Sequence, residues 1–380
     1  MDGQPLSART LQLSAAQAGL LVQSSGPRGE LCPLPILPQG PRAAADLTVL
    51  QNAGLLDRAG TPVGEWRGVA DTLAAPDLEI LAVAGGMEGV THLRAFGSPA
   101  TAAQLVAYGS RGAGECTVAW PVVPDDLLAL FTVALGLDAN TPDPGVRLEL
   151  TTEGFLVLAA ALDALREVEL EALLARDQEV APLLTPAAIR LALRAGMVSD
   201  DSRWLVPIFR RLLPAFPEID DALVNRGLED LVGAAILARG EKEGDFALVP
   251  AFEPARLRLQ APLAWGTLAA VGLAERQQRH WIQLGALRTL GALWGVEAEN
   301  GRVRFVTTDE PRLLAGLRTV LEAGRTAAKA VPPPVATRAA EWVATDAAAA
   351  AGPRFCSQCG HPLQPGGRFC GGCGAAVAVG

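Results

Sequence analysis

The chain has 380 residues, enough for two domains of ordinary size and a small appendage. Half of its residues are apolar, which permits a large core and excludes wholesale disorder. The formal net charge is −9, and the densest basic spots, Arg210–Arg211 and Arg302/Arg304, are mere pairs, so a nucleic-acid partner is not expected.

No run approaches the roughly 18 apolar residues that a membrane span needs. The longest charge-free apolar stretch, Ala261 to Ala274, is broken by Pro262, Gly266 and Gly272. Residues 10–26 are uncharged, but Gln and Ser punctuate them, so no signal peptide is read there. The expected location is the cytoplasm.

In chain order, the first half opens on Leu11-Gln-Leu13-Ser14. Next comes Glu30-Leu31-Cys32-Pro33-Leu34-Pro35, whose Cys-Pro-x-Pro resembles the active-site motif of small TusA-like sulfur carriers. In those carriers the cysteine opens a helix. Here Pro38, Gly40 and Pro41 forbid one of useful length, so Cys32 is expected to be a loop thiol. Leu78–Ala84, Thr91–Phe96, Gln104–Tyr108 and Glu115–Trp120 are short strand signals separated by Gly/Ser/Pro turns, which predicts an antiparallel meander. Within it, Gly109-Ser-Arg-Gly112-Ala-Gly114 matches no phosphate-loop spacing and reads as a turn, and Cys116 as a buried, inert thiol. Asp125 to Leu137 reads as a helix.

The second half opens on Leu148-Glu-Leu150-Thr151. Phe155, Leu158, Leu162, Leu165, Leu170 and Leu173 then recur at helical spacing, predicting a helix over 152–175 with Thr151–Thr152 as its cap. Leu284 to Leu293 reads as a helix. Val296–Glu299 and Arg302–Val306 flank Asn300–Gly301, a strong hairpin turn because both residues tolerate positive φ. Pro311 to Ala328 reads as a helix capped by Thr308–Asp309.

The halves echo each other. Ala53-Gly54-Leu55-Leu56-Asp57 recurs as Ala195-Gly196-Met197-Val198-Ser199, 142 positions on. Trp66 and Trp204 follow, then Pro76 and Pro217, 141 apart. The expected architecture is α+β: two pseudo-repeated halves (1–145 and 146–328) with antiparallel sheets and helices, then a Pro/Ala-rich linker (329–353) and a tethered ribbon (354–376). The succession of elements over about residues 5–325 resembles the EspG family, cytosolic chaperones of type VII secretion. That resemblance implies two quasi-symmetric halves and a helical-hairpin secretion substrate as the protein client.

The tail carries the firmest chemistry. Cys356-x2-Cys359 and Cys370-x2-Cys373 lie ten residues apart, with Gly360 and Gly374 after the two pairs. Each pair aims two thiolates at one ion, and the glycines relieve the turn, so one tetrahedral, structural Zn²⁺ is expected. The segment is too short to bury a core, so metal binding would supply its folding energy. Two disulfides or a four-thiolate iron site would use the same residues; a chain without a signal peptide argues against disulfides. The pattern F-C-x-x-C-G-x-x-L-x-x-G-x-x-F-C-x-x-C-G resembles the small bacterial zinc-ribbon family, with Phe355, Leu363 and Phe369 as its apolar centre. His361 is expected in the loop, outside the ligand shell. Arg354 and Arg368 against a tetrathiolate zinc leave the ribbon near neutral, favouring protein docking over nucleic acid. Trp342 stands alone in the linker, where a docking contact is one reading and a merely sticky side chain the more ordinary one.

Enzyme motifs are missing: no Walker loop, no G-x-S-x-G and no H-E-x-x-H. Of three histidines, His92 and His280 fall in strand contexts. The expected function is a non-enzymatic adaptor or chaperone-like protein that grips a protein client. The alternative is a winged-helix-like regulator, in which the helix at Leu284–Leu293 precedes the Asn300–Gly301 hairpin as its wing.

Overall fold

In the computed structural model the described residues are 9–327, apart from 24, 26–27, 35–40, 87–88, 99–103, 112–114, 138–142, 176–183, 214–215, 243 and 274–278. The linker with Trp342, the ribbon's four cysteines and His361 lie outside the described residues.

Each half begins with a strand whose last residue caps the helix that follows. In half one, β1 (Arg9–Ser14) runs into α1 (Ala15–Gln23), and Ser14 Oγ accepts the Gln17 N–H at 3.1 Å. In half two, β6 (Arg147–Thr151) runs into α5 (Thr152–Ala175), and Thr151 Oγ1 accepts the Gly154 N–H at 3.0 Å. A hydroxyl here takes an N–H that the helix itself leaves unbonded. The echoed openings are therefore the same strand-to-helix joint, built twice.

Half one continues with α2 (Pro41–Asn52) and α3 (Glu65–Ala74), then the meander β2 (Leu78–Gly86), β3 (Gly89–Gly97), β4 (Leu105–Arg111), β5 (Glu115–Val122), and α4 (Pro124–Ala134). Half two continues with α6 (Pro186–Val198) and α7 (Leu205–Leu212). The repeated Ala-Gly segments fall at the ends of α2 and α6, and Trp66 and Trp204 at the starts of α3 and α7. After Pro76 the chain enters β2 at once. After Pro217 it first makes α8 (Asp221–Gly233), the small hairpin β7 (Leu237–Arg239) and β8 (Phe246–Leu248), and α9 (Glu253–Leu259). Only then comes the second meander: β9 (Pro262–Leu273), β10 (Arg279–Thr289), β11 (Ala292–Glu299) and β12 (Arg302–Thr308), closed by α10 (Glu310–Ala327). Asp309 caps α10 by accepting the Arg312 N–H at 2.9 Å.

The ten long strands form one antiparallel sheet in the order β1-β5-β4-β3-β2-β9-β10-β11-β12-β6. The order reads the same from either edge once each strand is exchanged for its counterpart in the other half. The fold is thus α+β with two pseudo-repeated halves, whose meanders join through β2 and β9. That ladder runs from Leu78 opposite Gly272 to Gly86 opposite Ala264.

One expectation is overturned. Leu284 to Leu293 is the end of β10, a tight turn and the start of β11, not a helix. Central strands are buried on both faces, so Leu284, Ala286 and Leu287 show no alternation and mimic a buried helix. Without that helix, the helix-then-wing order of a winged-helix protein is absent. The Asn300–Gly301 turn itself holds, with φ of 50° and 76°.

Two cores lie on one face of the sheet. Half one packs α1, α2 and α3 on Leu13, Phe96, Val106, Cys116 and Val118. Half two packs α5 to α9 on a larger core centred on Phe155, Phe209, Trp294 and Phe305. The first core contains a misfit: Thr72 on α3 is fully buried, and its hydroxyl has no hydrogen-bond partner. Thr72→Val keeps the branched shape and removes the desolvated hydroxyl, so it should raise stability by about 1 kcal/mol. A higher urea midpoint is the expected reading, and a lower one would mean the hydroxyl is satisfied.

Candidate partner-binding strip

Residues opposite each other in neighbouring strands share a face of the sheet. One face of the centre carries α4 and α10. Phe131 of α4 fills the space a side chain at Gly266 would occupy, and Gly324 of α10 lies against Ala270 and Leu78. The opposite face carries Glu79, Leu81, Val83 and Gly85 of β2. With them stand Val271, Ala269, Thr267 and Trp265 of β9.

On this second face the helices are split. Half one's α3 covers β3 and β4 over Phe96 and Val106. Half two's α7 covers β9, with Leu212 against Gly285 and Arg211 over the Trp265 ring at 5.4 Å. Between the two helical layers Leu81, Val83, Ala269 and Val271 line up on this face, Leu81 half-buried and the other three buried, so the strip meets solvent at its ends. Its open ends are related by the exchange of halves. One is Val90 and His92 at the start of β3, opposite Gly85 and Val83. The other is Trp281 at the start of β10, directly opposite Val271.

Trp281 is the feature that stands out. It is 49% exposed, against 0% for Trp265 and Trp294. Its indole N–H donates to Gln283 Oε1 at 3.2 Å, which fixes the ring on the sheet. Gln283 is held in turn, donating to Thr267 Oγ1 at 2.9 Å and to the Leu212 carbonyl of α7. Charge at the strip is paired. Arg94 meets Glu79 at 2.7 Å, and the Arg279 Nε meets Glu30 at 2.7 Å, tying a half-one loop to a half-two strand. An exposed, immobilised aromatic beside an apolar floor and a rim of paired charges has the make-up of a protein-binding patch.

The other sequence candidates are dispersed. His92 is exposed on the strip face, whereas His280, opposite Gly272, is on the other face. Cys32 sits half-buried in the 28–34 loop, outside any helix. Cys116 is buried in β5, and burial pushes its thiol up from the ordinary range, which fits an inert role. Among the described residues, no group of three or more His, Cys, Asp or Glu side chains could hold a metal ion. No helix among them is long and apolar enough to cross a membrane. Sequence reasoning missed Trp281. The signal for it was the alternation Arg279-x-Trp281-x-Gln283 against His280 and Ile282.

No family model matches the sequence, and no curated protein matches it. Among solved structures the chain is similar to the Mycobacterium tuberculosis type VII secretion system chaperone EspG5, in its complex with the PE25–PPE41 dimer. The TM-score is 0.40 at 14% identity, over 83% of this chain and 96% of that one.

Proposed function

We propose that the protein is a non-enzymatic, chaperone-like adaptor whose two-half body grips a protein client on the strip between α3 and α7. The observation that carries this reading is Trp281, half-exposed and pinned on an apolar floor between two helical layers. In its finer form the reading makes the client a helical secretion substrate, as the EspG-like order of elements implies. The tail's Cys356, Cys359, Cys370 and Cys373 hold one structural Zn²⁺. Two CxxC pairs supply a tetrahedral thiolate set, and the metal would fold a segment with no core of its own. The ribbon serves as an accessory, either structural or a second docking module.

The test is affinity purification from the native cell with mass spectrometry, and zinc quantified on each bait. Three baits serve: the full chain, a version ending at Ala328, and Trp281→Ala. The full chain should bring down a helical client with one zinc per chain. The shortened form should keep the client and lose the zinc. Trp281→Ala should keep the zinc and weaken the client about 30-fold, the effect of losing a hot-spot aromatic of about 2 kcal/mol. A client that survives Trp281→Ala unchanged, or disappears with the tail, would overturn the assignment of the strip.

A further inference from the structure

The ten-stranded sheet ends in two edge strands, β1 and β6. Which backbone groups of β6 face outward follows from its ladder with β12. The Thr307 N–H donates to the Val146 carbonyl and the Thr152 N–H to the Gly301 carbonyl, both at 2.9 Å. Hydrogen-bonded positions alternate along an antiparallel pair. Val146, Leu148, Leu150 and Thr152 therefore bond to β12, and Arg147, Glu149 and Thr151 turn their N–H and C=O groups to the open side.

An open edge is a template for another strand. This one is closed at both ends. The Thr151 N–H is taken by Asp230 Oδ2 of α8 at 2.7 Å. Before the strand, Gly145 has a φ of 72°, which takes the chain out of the extended conformation. What remains open is a window of two exposed residues, Arg147 and Glu149. The β1 edge has a similar window. There the Ser14 N–H is taken by Gln17 Oε1 at 3.0 Å, and the window residues Thr10 and Gln12 are neutral.

The charges in the β6 window belong to a pattern. Register places Arg147 and Glu149 on the sheet face that carries α4 and α10 at its centre. Across that face Glu297 of β11 stands opposite Arg304 of β12, and Arg304 opposite Glu149. Arg304 meets Glu297 at 3.1 Å, and Arg302 meets Glu149 Oε1 at 2.9 Å. The row runs negative, positive, negative, and ends at the open edge. A carboxylate has a second oxygen, so Glu149 can take a further cation on its outer side.

We propose that the β6 edge pairs with the β6 edge of a second copy of this chain, antiparallel about a two-fold axis at Leu148. This register sets Arg147 opposite the partner's Glu149, and Glu149 opposite the partner's Arg147. The charged row then continues as Glu297, Arg304, Glu149 and the partner's Arg147. Each window residue exchanges both of its backbone bonds, and the Thr151 N–H is not called on. The competing registers fail. A slide of two residues one way sets Glu149 against the partner's Glu149 and needs the Thr151 N–H that Asp230 holds. A slide the other way sets Arg147 against the partner's Arg147. A slide of one opposes an outward residue to an inward one. Parallel pairing about a two-fold axis puts like charges side by side. A β1 edge supplies neither charge. The contact is small, so the dimer is weak and concentration-dependent.

The test is sedimentation velocity of the full chain from about 10 μM to about 500 μM, which spans the affinities expected of a weak contact. A monomer–dimer equilibrium should appear within that range. Arg147→Glu and Glu149→Arg should each weaken it about tenfold, because opposite-charge pairs across the edge become like-charge pairs. An equal mixture of the two variants should recover the dimer, since a chain with two glutamates then meets a chain with two arginines. Urea midpoints check that both variants are folded. A chain that stays monomeric throughout would overturn the proposal. So would a dimer that neither reversal weakens, or a mixture that associates no better than its components. Should either variant not fold, salt decides in the unaltered chain. Raising it should loosen a dimer registered by exposed charges, and a dimer indifferent to salt sinks the assignment.

Discussion

Phe305→Ala is expected to destabilise the protein by about 3–5 kcal/mol, the range for emptying a large aromatic site in a packed core. Phe305 is fully buried on β12 and joins the sheet to the helices above it. It stacks on Trp294 at 4.5 Å with 7° between the planes, and meets Phe155 and Phe209 edge-on at 5.3 and 5.6 Å. Phe155 and Phe209 stack on each other at 4.3 Å. Truncation removes three ring contacts at once and leaves a cavity between β12, α5 and α7, which backbone shifts in a ten-stranded sheet cannot close. Phe305→Leu fills most of the volume and should cost roughly half as much. Urea unfolding of both variants reads the difference, and a loss below about 1 kcal/mol for the alanine would mean the site collapses freely.

Gly227→Ala is expected to cost about 2–3 kcal/mol even though alanine is the better helix former. Gly227 lies on α8 where it crosses α5. A Cβ there would stand 2.4 Å from Val157 Cγ2 and 2.8 Å from the Glu153 carbonyl oxygen. The valine methyl can turn aside, but the carbonyl belongs to the α5 backbone and cannot, so the helices must part. One turn further along α8, Asp230 Oδ2 accepts the Thr151 N–H at 2.7 Å and the Thr151 hydroxyl at 2.9 Å. Parting the helices stretches those bonds as well. The two insults outweigh the gain in helix propensity of about 1 kcal/mol. Combining Gly227→Ala with Val157→Ala should recover part of the loss, since the side-chain clash is then gone. Thermal unfolding of the single and double variants measures the coupling, and simple additivity would show that the close approach is unimportant.

Legibility in the sequence followed exposure. β2 to β5 could be read because glycine and proline turns punctuate them, and α5 because its apolar residues keep a helical period. The joint at Thr151 and the Asn300–Gly301 turn are local chemistry, so they too were visible. The centre of the sheet was not. β9 is a nearly unbroken apolar run that contacts strands on both sides and side chains on both faces. Periodicity cannot tell such a strand from a buried helix, and β10 was misread for the same reason. The echo of the two halves was visible at 53–57 and 195–199, but the 218–261 insertion hid the match of the meanders. Trp281 escaped because its role depends on its partners in the folded sheet, Val271 and Gln283. The reading of the four tail cysteines rests on their spacing alone, since they lie outside the described residues.

The seam between β2 and β9 sets an order of events during synthesis. All partners needed for β1, β3, β4 and β5 lie within residues 9–122, so the first five strands can assemble early. β2 cannot be completed then, because β9 begins at Pro262, 176 positions after Gly86 (262 − 86). At about 5–20 residues per second, the ribosome takes about 9–35 s to supply it. Throughout that interval Leu78–Gly86, nine residues with Glu79 as their one charge, presents an unpaired edge to its surroundings. Such an edge is a template for any other extended chain. The strand that later holds the two halves together is, for that time, an adhesive edge of the nascent protein.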